Sequence, residues 1–398
     1  MKKVRKHLLF CIIPLFVGCA QPSSGDLPLI DLTKEYPKKD IVLQEIADVE
    51  YVSLNGKDAP LIGRPRIGYV SQEVLVLYDV FTGDVFVLDR DGNCLSHFNN
   101  QGNSGKEYVY ISHLTYDPQK REIYVLDASG ANGILVYTDR GAFVRSFPEQ
   151  SQQYLREIYN FDDQTLLAYC MPARMDSNNP NHTNPYLFLS KQDGKIVSRL
   201  DFRFQDDRIT SRKIIPTDAG PMAIVITGDN SLKFGGDFVV ADISADTLYL
   251  LSKGAALTPV LSRMPSVYDQ EIPIVWSVGL KTDQFILIRT AEYDFEAIKK
   301  AALNNQPTPR IKSGQYLFYT ENHEVVTPKF INTDWPSVSV HFTMDRVSME
   351  EKNMSATILY AEQLTGALEK EKLQGNLKEL ALTLAPDDNP VLMLIKYK

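Results

Sequence analysis

The sequence predicts an all-β chain: a six-bladed β-propeller of four-stranded antiparallel blades, its ring closed by N- and C-terminal strands, with short helices near the C-terminus. Three observations predict it. A strand–turn–strand unit recurs five times along the 398 residues. Aromatic residues are plentiful, with 20 Tyr and 18 Phe, while helical stretches are short. Strand-like runs remain at both ends after the five repeats, enough for one blade shared between the termini. A period near 50 residues is the length that four short strands and their turns occupy.

Before the repeats comes a leader. Lys2, Lys3, Arg5 and Lys6 precede an apolar run from Leu8 to Val17. That run is about half the length needed to span a bilayer, so it reads as a signal h-region. It ends in Leu15-Phe16-Val17-Gly18-Cys19, which resembles the lipobox of bacterial lipoproteins, with Phe16 bulkier than the usual aliphatic. The expectation is a signal peptide over 1–18, lipid on Cys19, and a flexible tether over 19–40. Nothing follows Cys19 that resembles an inner-membrane retention signal, which favours the outer membrane; its periplasmic or surface side stays open. Removing the leader leaves 38 basic residues against 50 acidic, a net of −12. An acidic chain argues against a nucleic-acid partner, since phosphate binding needs concentrated positive charge.

The five hairpins begin at Val85, Ile134, Tyr186, Leu248 and Tyr316, at spacings of 49, 52, 62 and 68. Polar turns such as Asp89-Arg90-Asp91-Gly92 and Thr138-Asp139-Arg140-Gly141 follow the first strand of each pair. Further strands precede them at 74–78, 123–126, 165–169, 238–241 and 285–288. Innermost strands are expected at positions such as 67–70 and 111–116. β-branched and aromatic residues dominate these runs, with Gly, Asp and Asn at the breaks. The sixth blade is expected from Ser337–Thr343, Ala356–Tyr360, Val391–Tyr397 and, from the N-terminus, Ile41–Leu54. Closing the ring from both ends removes exposed strand edges. Glu362–Lys372 and Asn376–Leu382 read as short external helices. The propeller domain is thus expected over 41–398.

The mature chain resembles the six-bladed β-propeller lipoproteins of gut commensal bacteria, relatives of NHL-repeat propellers. The residues that carry the resemblance are Ile46–Leu54 with Leu61-Ile62-Gly63, then Gly102…Gly105-Lys106-Glu107-Tyr108. Tyr116-Asp117-Pro118 with Ile123–Asp127, and the C-terminal Asp387–Leu394, complete it. Asn103-Ser104 departs from the family's Gly-Pro character in the Gly-rich loop. The resemblance implies fold and export, and no activity.

Chemical motifs are few. Asp89–Asn93 lacks the spacing and closing Glu of a calcium loop and reads as a hairpin turn. Gly102–Lys106 lacks the Walker spacing, and GxSxG is absent. The mature histidines, at 97, 113, 182, 323 and 341, show no paired spacing, although His113 and His341 fall near inner strands where a channel metal could be held. No metal and no cofactor are predicted. Asp79, Asp127 and Asp242 each end a second strand and read as turn caps. Cys94 and Cys170 read as buried free thiols in different blades.

The lengths of the connections point toward function. In a propeller the A–B and C–D turns share one face, and the B–C and D–A loops share the other. The short turns all fall on the first. The long segments, 171–185, 201–220, 291–314 and 330–336, all fall on the second. Loops on rigid scaffolds carry binding, so this face is expected to bind a protein, peptide or glycan. Its candidate contacts are Arg174, Arg203, Arg208, Arg212, Tyr293 and Trp335, the Arg and aromatic types enriched at hot spots. The competing expectation is a lyase or hydrolase acting on a sugar or peptide at the channel mouth; no catalytic residue is predicted.

Overall fold

The computed structural model describes residues 27–398 except 58, 128–132, 148–153, 172–183, 203–211, 216–219, 221, 227–230, 341 and 343–347. The chain opens with β1 (Leu29–Asp31), β2 (Lys38–Val42), the one-turn helix α1 (Leu43–Ile46) and β3 (Ala47–Ser53). Blade 1 is β4 (Arg66–Val70), β5 (Val74–Tyr78), β6 (Asp84–Asp89) and β7 (Cys94–Asn99). Blade 2 is β8 (Ile111–Asp117), β9 (Glu122–Asp127), β10 (Ile134–Thr138) and β11 (Phe143–Phe147). Blade 3 is β12 (Tyr154–Asn160), β13 (Thr165–Met171), β14 (Tyr186–Ser190) and β15 (Ile196–Arg199). A hairpin, β16 (Arg212–Ile215) and β17 (Met222–Val225), precedes blade 4. Blade 4 is β18 (Ser231–Phe234), β19 (Asp237–Val240), β20 (Thr247–Leu251) and β21 (Leu257–Met264). Blade 5 is β22 (Ile274–Lys281), β23 (Phe285–Glu292), β24 (Lys312–Tyr319) and β25 (Val325–Ile331), with α2 (Phe295–Leu303) between β23 and β24. The chain ends with β26 (Ser348–Met349), β27 (Met354–Leu359), α3 (Ala361–Glu369), α4 (Gly375–Ala381) and β28 (Val391–Tyr397).

Every repeated strand expected from the pattern is present, and the reason is visible in how the alternation is used. Leu75, Leu77, Phe86 and Leu88 pack toward blade 6, while Val76, Tyr78, Val85 and Val87 pack toward blade 2. Successive side chains enter two different seams, so both faces of each sheet are buried and middle strands are apolar throughout. Four more seams are built alike, and with these two they close the ring from blade 6 back to blade 1.

The C–D turns show why Gly stands where it does. Gly92, Gly141 and Gly194 have φ of 82°, 81° and 71°. A Cβ on them would sit 2.1 Å from Ser53 O, 2.5 Å from Phe98 Cβ and 2.4 Å from Phe147 Cβ respectively. Each turn is pressed against the end of the preceding blade's outer strand. The left-handed conformation and the close approach both exclude a side chain.

Three expectations are corrected. The tether does not extend to residue 40: β1 pairs in parallel with β21, and β2 with β25, so the N-terminal segment adds a fifth strand to blade 4 and then to blade 5. Ile30 and Leu32 are buried there, and burial of those two residues draws the segment into the seam between blades 4 and 5. Ile41–Leu54 is not one strand, because α1 breaks it; β2 serves blade 5, and β3 is the outer strand of blade 6 beside β28. Finally, Ser337–Thr343 forms no strand among its described residues, only a bridge between Ser339 and Ile331. Blade 6 is the three-stranded sheet β27-β28-β3, and its inner position is taken by β26. That short strand lies in the channel, paired in parallel with β18 of blade 4 and β4 of blade 1.

Candidate functional site

Strand alternation puts the B–C and D–A connections on one face, here called the long-loop face. It carries the hairpin β16–β17, helix α2 and helices α3 and α4, since α3 and α4 lie in the B–C connection of blade 6. Both helices pack on Tyr51, Trp335 and Leu359. The hairpin does not stand free. Ile224 and Ile226 bury against Ile243, Val267, Val275, Tyr293 and Phe295, forming a small second core over blades 4 and 5.

Aspartates at the ends of B strands fix the loops, as their capping role predicts. Asp79 Oδ1 accepts hydrogen bonds from Phe81 N (2.7 Å) and Thr82 N (3.1 Å), and Oδ2 accepts one from Arg64 N (3.2 Å). Asp127 Oδ1 accepts one from Tyr110 N (3.2 Å). Asp242 Oδ1 accepts from Ser244 N (2.9 Å) and Ser244 Oγ (2.5 Å). At Asp79 one carboxylate ties a B–C turn to the incoming D–A loop, and at Asp127 the carboxylate ties the end of a B strand to that loop, satisfying backbone donors that strand ends leave open. Blade 5's incoming loop is held differently: the buried Arg263 donates to Pro265 O (3.0 Å) and Ile274 O. Burial pushes its guanidinium pKa down to about 10, against the pull of Asp246.

This face also gathers the exposed apolar side chains. Among the described residues, the exposed large hydrophobics in B–C connections are Phe81, Leu303, Ile311 and Leu382. Those in or at the ends of D–A connections are Leu61, Val109, Tyr110, Tyr154, Met264, Ile272 and Val338. The remaining four, Leu29, Leu95, Val144 and Val197, lie on outer strands; none lies in an A–B or C–D turn. Between α2's segment and blade 5 runs a cleft of about 500 Å³, walled by Trp276, Arg289, Thr290, Tyr293, Ile311 and Gln315. Arg289 lies across Gly279, where a Cβ would be 3.0 Å from the guanidinium carbon, and donates to Phe342 O.

The short-turn face is chemically different. There Lys191 Nζ donates to Asp117 Oδ2 (2.5 Å) and Asp162 O (2.5 Å) while its side chain is 1 % exposed. Arg145 donates to both Glu122 oxygens at 2.7 Å and to Lys191 O at 3.0 Å. Burial works against the Glu122 carboxylate, yet hydrogen bonds from Arg145 and Tyr124 hold its pKa below the ordinary range. Lys191–Asp117 and the Arg145–Lys191 hydrogen bond cross the seam between blades 2 and 3, while Arg145–Glu122 braces blade 2 from within.

The predicted contacts are only partly brought together. Cys19, Arg174, Arg203 and Arg208 lie outside the described residues. Arg212 opens β16, and its side chain also lies outside them. Tyr293 is 1 % exposed and is first a core residue, although it forms part of the cleft wall. Trp335 is half-buried against the C-terminal helices, its indole N–H without a hydrogen-bond partner among the described residues. Sequence reasoning missed Arg289 and Trp276, because both sit inside strands and only the long β22–β23 pairing carries them to the face. It also passed over Leu61, Phe81 and Tyr110, since isolated apolar residues at turns carry no periodic signal.

For channel chemistry, His113 Nδ1 accepts a hydrogen bond from Ile158 N (3.0 Å), and the ring packs edge-on against Tyr159 (5.1 Å). That nitrogen is committed to the seam between blades 2 and 3. His341 lies outside the described residues. The channel itself holds β26, followed by Glu350, whose carboxylate meets Lys233 Nζ at 2.5 Å. Among the described residues no three His, Cys, Asp or Glu side chains converge as metal ligands. Among the described residues neither Cys94 nor Cys170 is in a disulfide; Cys170 is buried as expected, whereas Cys94, on an outer strand, is only half-buried.

Comparison with known proteins bears on family and fold. The family described as "Domain of unknown function (DUF4934)" matches residues 27–263. No curated protein matches the sequence. Among solved structures, a Bacteroides fragilis protein described as exported is similar at 13 % identity and TM-score 0.62, covering 93 % of this chain and 99 % of its own. A member of the DUF4221 family from Bacteroides vulgatus is 7 % identical, with TM-score 0.44, covering 73 % of this chain and 92 % of its own.

Proposed function

We propose, for a chain that belongs to the DUF4934 family, that it is an exported binding propeller, lipid-anchored at Cys19 in the cell envelope, whose long-loop face captures a protein, peptide or glycan. The observation that carries this reading is the one-sided placement of exposed apolar side chains on the face that also holds the hairpin and the added helices. Contiguous apolar surface costs solubility, and monomeric proteins expose it chiefly where they bind. Export rests on the basic-then-apolar leader and on the likeness to a Bacteroides protein described as exported. No helix among the described residues is long and apolar enough to cross a membrane; the lipid anchor is read from the Leu15–Cys19 segment.

The test is a screen of the unlipidated mature chain, residues 20–398, against peptide and glycan arrays, with metal content measured on the same sample. Saturable capture that is lost when Leu303 and Ile311 are changed to serine supports the reading. Stoichiometric metal with no array hit moves a channel enzyme to first place. Separately, palmitate labelling in the native host is expected for the wild type and absent from Cys19→Ser.

A further inference from the structure

We propose that the sector of the long-loop face over blades 1 and 2 docks an acidic protein segment bearing an aromatic or branched aliphatic anchor; this rests on the binding reading above and names its partner. The sector is one connected surface. The Asp79 carboxylate holds both the loop of Arg64 and the turn of Phe81. The other side of that turn is held by Tyr108, which donates to Gly83 O (2.6 Å), and Gln101, whose side chain lies against Gly83, donates to Val109 O (2.9 Å) next to Tyr110. On this rigid base Phe81 is 80 % exposed, Leu61 79 % and Tyr110 40 %.

Charge selects the partner. Arg64 and Arg66 are exposed beside these residues and form no ion pair among the described residues, in a chain that carries 50 acidic side chains. Exposed Arg121 is matched to Asp139 at 2.6 Å and half-buried Arg90 to Glu50 at 2.8 Å. Arg140 and Arg310 are exposed singly, so what sets Arg64 and Arg66 apart is that two such groups stand two residues apart beside exposed apolar side chains. Two unmatched guanidinium groups flanking exposed apolar side chains complement carboxylates flanking an apolar anchor. Branched aliphatic Leu61 suits a peptide side chain better than a flat sugar face. The N-terminal strand β1 joins blade 4, across the ring from blade 1, so a lipid at Cys19 would be attached nearer the opposite side of the ring than this sector.

The experiment measures binding of the mature chain to immobilised peptides that combine glutamate runs with one Phe or Leu, with glutamine- and lysine-substituted versions alongside. Vesicles of phosphatidylcholine with phosphatidylglycerol form the second arm. The expected result is retention of the acidic-apolar peptides only, weakened by salt. Arg64→Glu with Arg66→Glu should lower affinity about tenfold or more and remove most of the salt dependence, and Phe81→Ser should lower it at every salt concentration. Circular dichroism and thermal melting verify that these surface variants fold. If no acidic-apolar peptide is retained, or if the vesicles bind instead, the proposal is overturned. If a ligand binds but only Leu303→Ser with Ile311→Ser abolishes it, the sector is wrong and the face-level reading stands. If a ligand binds and none of these variants alters it, both readings fail.

Discussion

The two faces of the propeller solve the same closure problem with opposite surfaces. On the short-turn face, charged groups are paired with one another, buried at Lys191–Asp117 and half-buried at Arg145–Glu122, and among the described residues no large apolar side chain is exposed in a turn. On the long-loop face the carboxylates are spent on backbone donors, as at Asp79 and Asp127, and apolar side chains are left in water. The difference teaches that electrostatics serves stability on one face, whereas the other holds its loops in shape with their apolar tips unsatisfied. Stability and binding should therefore separate by face.

The sharpest break in that comparison is Lys191→Met. Removing one partner of a buried ion pair leaves Asp117 uncompensated, so unfolding free energy should drop by about 3–5 kcal/mol, read by urea denaturation. Ligand capture by the folded fraction should be unchanged. A loss below 1 kcal/mol would mean that the short-turn face does not carry the seam. Next in size is Gly141→Val. Its φ of 81° and the overlap with Phe98 should cost about 1–3 kcal/mol, while the corresponding change at Gly254, which has nothing within 4 Å, should cost less. Equal losses at the two positions would show that backbone strain, not the inter-blade contact, sets the cost.

Smaller in stability and larger in binding is Leu303→Ser with Ile311→Ser. Surface changes of this kind move stability by about 0.5 kcal/mol or less, whereas capture should fall by about tenfold. Unchanged capture by this variant, together with unchanged capture by the blade 1–2 variants, would remove the functional distinction between the faces.

The smallest effect is on pH. Folding holds Glu122, Asp84 and Asp89 below their ordinary carboxylate values: burial opposes this in each, and hydrogen bonds from Arg145, Thr82 with His97, and Asn93 outweigh it. A depressed folded pKa means that the unfolded chain binds more protons. The stabilisation is complete above about pH 4.5, the unfolded value of Glu, and is lost as pH falls through the folded pKa. Glu122→Gln should therefore flatten part of the acid limb of a stability–pH curve while leaving ligand capture at neutral pH unchanged.

Much of the fold was legible because its signals are local. Alternation along Val74–Tyr78 or Ile134–Thr138 sorts side chains into two seams within a single strand, and turns such as Asp91-Gly92 announce themselves by backbone chemistry. The candidate face was legible from loop lengths alone. The candidate contacts were less so. Tyr293 has the composition of a hot spot but the place of a core residue, and Phe81 looked unremarkable in sequence because exposure is a property of what fails to cover it.

By itself the sequence determined the blades, their number, their turn chemistry and which face would carry the insertions, since each follows from residues within a few positions of one another. Tertiary structure alone decided where the short strands at 29–31, 38–42 and 348–349 would go. A strand pairs through backbone N–H and C=O groups that are the same in every residue, so periodicity says that such a segment is extended and cannot say whose edge it joins. The edges left open by blades 4 and 5, and the inner strands of blades 1 and 4 facing across the channel, exist only once the ring has formed.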